Sequence, residues 1–83
     1  MIFERSALIA KLQERLDGRI QAAELAQWAF DRFYELDQGM LAVDASDSDV
    51  IADVLDELLF ADDTRFALDE TDLRRLIARL QEP

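Results

Sequence analysis

The chain has 83 residues, half of them hydrophobic, with a formal net charge of −10, no cysteine and no histidine. That length holds one domain with one core. The missing residue types exclude disulfides, zinc–thiolate sites, thiol nucleophiles and the usual general base. The charge disfavours nucleic acid and anionic membranes as direct partners and favours a basic one. Only two glycines and one proline are present. Together with plentiful Ala, Leu, Glu, Gln and Arg, this predicts helices rather than strands.

Helix 1 is predicted over Phe3–Leu16, with Leu8, Ile9, Leu12 and Leu16 on one face and Gly18 as its stop. Helix 2 is predicted over Ala22–Asp37, ending before Gly39. Leu25, Trp28, Ala29, Phe33 and Leu36 form its main stripe, and Ala26, Phe30 and Tyr34 widen that stripe. An arc this broad suits a helix packed on two sides, or one that also meets a partner; Phe30 and Tyr34 are the candidate dimer surface. In the following loop, Met40, Leu41 and Val43 are expected against the core.

Helix 3 is predicted over Asp47–Phe60, with Ser46 or Asp47 as N-cap and Val50, Ile51, Val54, Leu55 and Leu58 buried. Phe66 and Leu68 are expected to anchor the second loop. Helix 4 starts from an Asp69 cap with Asp72 three residues on, a Leu68/Leu73 staple, and a stripe of Leu73, Leu76, Ile77 and Leu80. Its arginines, Arg74, Arg75 and Arg79, fall in later turns where the helix dipole favours cations. The expected fold is all-α: a compact antiparallel four-helix bundle, one domain spanning residues 1–83.

The charge is concentrated. Between Asp44 and Asp72 lie eleven acids and a single base, Arg65, so this stretch holds the whole net charge. Asp49, Asp53, Asp56 and Glu57 share the side of helix 3 opposite its apolar stripe, and Asp62 and Asp63 follow in the loop. Asp49–Asp53 and Asp53–Glu57 are like-charge pairs four residues apart, each costing about 0.2–0.5 kcal/mol. Asp56 and Glu57 also lie near the helix C-terminus, where anions are disfavoured. No Lys or Arg within the helix relieves this pattern, and a locally unfavourable pattern points to function. These six residues are the candidate partner-binding surface.

Catalysis is not expected. The carboxylates could serve acid–base chemistry only within a cleft, which a four-helix chain of this size seldom forms. Asp47-Ser48-Asp49 and Asp62-Asp63 lack the glycine and terminal glutamate of a calcium loop, and the isolated glycines exclude a phosphate loop. No metal or cofactor is expected. Asp47-Ser48-Asp49 also resembles the site at which acyl carrier proteins attach phosphopantetheine to serine. Here, however, Asp49 replaces the apolar residue after Ser48, and the helix is the third rather than the second.

Two segments carry a further resemblance. Leu16-Asp17-Gly18-Arg19-Ile20-Gln21-Ala22-Ala23-Glu24-Leu25-Ala26-Gln27-Trp28-Ala29 joins a glycine stop to a helix bearing Glu and Trp-Ala. Phe66-Ala67-Leu68-Asp69-Glu70-Thr71-Asp72-Leu73 joins an aromatic, a leucine and acids at the start of the last helix. Both resemble small bacterial immunity-like helical proteins similar to the colicin D-type, self-protective immunity family. That resemblance implies a rigid acidic bundle that occludes the basic cleft of a nuclease toxin, and it assigns no contact residue. The sequence thus predicts an acidic binding protein of immunity or antitoxin type. Alternatives are a structural or regulatory helical homodimer and a carrier using Ser48. Met1-Ile2-Phe3-Glu4-Arg5 carries no basic leader before a long apolar run, so the expected location is the cytoplasm.

Overall fold

The computed structural model describes residues 2–63 and 68–82. It contains four helices in chain order: α1 (Arg5–Leu16), α2 (Ala22–Asp37), α3 (Ser48–Leu58) and α4 (Glu70–Gln81). Each has a local cause. α1 and α2 both end on glycines in the left-handed region, Gly18 at φ +77° and Gly39 at φ +73°. After each glycine the next amide reaches back into the helix: Arg19 N donates to Glu14 O at 2.9 Å, and Met40 N to Glu35 O at 2.8 Å. This closes the Schellman motif, which a residue with a Cβ would strain. α2 begins with half of a capping box, as Gln21 N donates to the Glu24 carboxylate at 3.4 Å. α4 has both halves. Asp72 N donates to Asp69 Oδ1 at 2.8 Å, and Asp69 N donates to Asp72 Oδ2 at 3.2 Å.

The core gathers Leu8 and Leu12 from α1, Leu25, Ala26 and Ala29 from α2, Ile51, Val54, Leu55 and Leu58 from α3, and Leu73, Leu76 and Leu80 from α4. Ala61 joins it from the turn after α3. Packing is most extensive between α2 and α3 and between α1 and α4. Side-chain contacts fix two of the relative directions. Arg5, at the start of α1, bonds the carbonyls of Leu80 and Glu82 at the end of α4, so these helices run antiparallel. Asp53 meets Arg79 while Glu57 meets Arg75, so α3 and α4 also run antiparallel. The radius of gyration, 11.9 Å, matches the ~11.8 Å expected of a compact chain of this length.

Several expectations are corrected. α1 starts at Arg5, not Phe3. Ile2 pairs with Ala42 in a parallel bridge, and Phe3 N donates to Ala42 O at 2.8 Å. The leading residues therefore hold the α2–α3 loop instead of extending the helix. Met40 is exposed, while Val43 packs on the core. α3 stops at Leu58, two residues short of Phe60. The chain tightens there into i→i+3 bonds, Phe60 N to Glu57 O and Ala61 N to Leu58 O. Asp47 does occupy the N-cap position of α3, but its side chain makes no cap bond; Arg5 Nε donates to its Oδ1 at 2.7 Å. The wide arc of α2 is only partly packed: Ala26 is buried, whereas Phe30 and Tyr34 are 56% and 54% exposed. Leu68 packs on the core as expected. Phe66, the other proposed anchor, lies outside the described residues.

Candidate functional site

Asp49, Asp53 and Asp56 recur at four and three residues along α3, which sets them on one stripe, and all three are exposed. Glu57 flanks the stripe and is half-buried. Asp62 is exposed and Asp63 half-buried in the turn that follows, where buried Ala61 pins the backbone. The predicted acidic residues therefore do form a surface, running along α3 and past its C-terminal end.

Their charge states of pairing differ in a way the linear pattern hid. Arg79 Nη2 donates to Asp53 Oδ2 at 2.9 Å. Arg75 Nη2 lies 3.6 Å from Glu57 Oε2 and 3.7 Å from Asp72 Oδ1. Two of the four α3 acids are thus compensated from α4, and the repulsion expected along the helix is offset across the interface. The signal was present in the sequence: Asp53/Glu57 and Arg75/Arg79 are both i, i+4 pairs, which match when two helices run antiparallel. What remains without a cationic partner among the described residues is Asp49, Asp56 and Asp62.

Asp49 borders a shallow depression of about 280 Å³ shared with Arg5, Ser46, Val50, Asp53, Arg79 and Glu82. Below it Arg5 forms a half-buried knot that the sequence reading missed. Its guanidinium bonds Asp47 at 2.7 Å, the Glu82 carbonyl at 2.6 Å and the Leu80 carbonyl at 3.3 Å. This joins the start of α3 to the end of α4 and holds the upper end of the acidic stripe. Ser48 is half-buried at the first position of α3, next to that knot. Just before it, the exposed Asp44 accepts from the Ser46 amide at 3.1 Å and from the Ser46 hydroxyl at 2.9 Å. These bonds, the amide first, lower its pKa from the usual 3.8.

No group of three or more acidic side chains among the described residues is arranged to hold a metal ion. No helix among them is long and apolar enough to cross a membrane. Phe30 and Tyr34 lie on α2, apart from the acidic stripe, and line a separate depression with Asp31, Arg32 and Glu35. Comparison with family models, with characterised proteins and with solved structures finds no match to the chain.

Proposed function

We propose that the protein is an acidic binding protein of the immunity or antitoxin type, which covers the basic active-site cleft of a partner such as a nuclease toxin. The observation that carries this reading is the set of carboxylates left over after internal pairing. Asp49 and Asp56 on α3 and Asp62 beyond it are exposed and have no cationic partner among the described residues, and α3 is fixed by both core packing and ion pairs to α4. A nuclease cleft is basic because it holds phosphates, and rigid carboxylates presented side by side replace them electrostatically. Such complementarity accelerates encounter and makes it sensitive to salt. Asp53, Glu57 and Asp63 complete the contact surface.

The structure changes which residues test the idea. Asp53 is engaged with Arg79, so altering it would change an internal ion pair as well as the binding surface. Asp49→Lys with Asp56→Lys removes charges that have no cationic partner among the described residues. Affinity for the basic partner, captured at low ionic strength and identified, should fall at least about tenfold with the fold intact. Unchanged affinity sinks the reading. The exposure of Phe30 and Tyr34 supports a second reading, a helical homodimer, which sedimentation at micromolar concentration tests directly.

A further inference from the structure

We draw no further inference here: the strongest candidate, the exposed outer face of α2 around Trp28, Phe30 and Tyr34, is lined by charged side chains of both signs, and nothing in the structure shows what covers it.

Discussion

Replacing Arg5 with Met keeps the aliphatic stem and the helix propensity of the first α1 residue while deleting the guanidinium. Three bonds disappear: 2.7 Å to Asp47, 2.6 Å to the Glu82 carbonyl and 3.3 Å to the Leu80 carbonyl. A bond to a charged group contributes about 1.5–3 kcal/mol when shielded. The Arg5 and Asp47 side chains are each about a quarter exposed, 23% and 26%, so water screens part of this and takes over part of the bonding. The expected loss is about 1–3 kcal/mol in total. For a domain of this size each kcal/mol lowers Tm by about 4–8 °C. Thermal melting followed by circular dichroism at 222 nm should therefore show a drop of at least about 5 °C. A double-mutant cycle with Asp47→Asn should return a coupling near 1 kcal/mol, reduced at high salt. A Tm within about 2 °C of the parent, or strict additivity of the two changes, would show that the knot holds nothing.

Other expectations follow from the same contacts. Leu55→Ala, at a fully buried position of α3, should cost about 2–5 kcal/mol in urea unfolding, enough to threaten so small a core. Gly18→Ala meets no neighbouring atom within 4 Å, so its cost of about 1 kcal/mol should come from φ +77° alone; a neutral result would mean that the turn relaxes. Asp56→Lys should raise stability slightly, by a few tenths of a kcal/mol, because it replaces an anion near the C-terminal end of α3, whereas Asp49→Lys should offset that gain, since Asp49 lies in the first turn, where the dipole favours an anion. A large loss of stability would place those carboxylates in the fold rather than on the docking face. Asp44 has a lowered pKa in the folded protein, so its contribution is complete above 3.8 and is lost as the pH falls through the lower, folded value. The Ser46 amide proton shift in a pH titration should follow a curve whose midpoint lies below 3.8. Movement centred at or above 3.8 contradicts the bonding described.

Local signals made much of the fold legible. The bounds of α2 follow from Gly39 and the Leu25–Ala29 periodicity, and the start of α4 follows from Asp69 and Asp72, whose capping needs no distant partner. Misreadings arose where a remote group overrode local preference. Phe3 opens the helix predicted from the sequence, yet the carbonyl of Ala42, some forty residues away, takes its amide. Asp47 is a good cap residue, yet Arg5 claims its carboxylate from 42 positions away. The acidic site was legible as a patch but not as a pattern of charge. Its six members were read as equally uncompensated, whereas Arg75 and Arg79 neutralise Glu57 and Asp53 from another helix. The exposed edge of α2 was ambiguous for a related reason. Apolar breadth shows that a helix has more than one face to cover, but Phe30 and Tyr34 do not themselves reveal whether this chain covers them.

The Arg5 knot also bears on how fast the fold forms and is lost. Its bond to Glu82 closes a separation of 77 residues, and the entropy of closing a loop grows with its length. The α2–α3 pair, close in sequence and the most extensively packed, can assemble before that closure is made. On this order of events the knot is absent from the folding transition state. Its removal should then accelerate unfolding and leave refolding nearly unchanged, making one half-buried arginine a latch on the lifetime of the bundle rather than a guide to its formation.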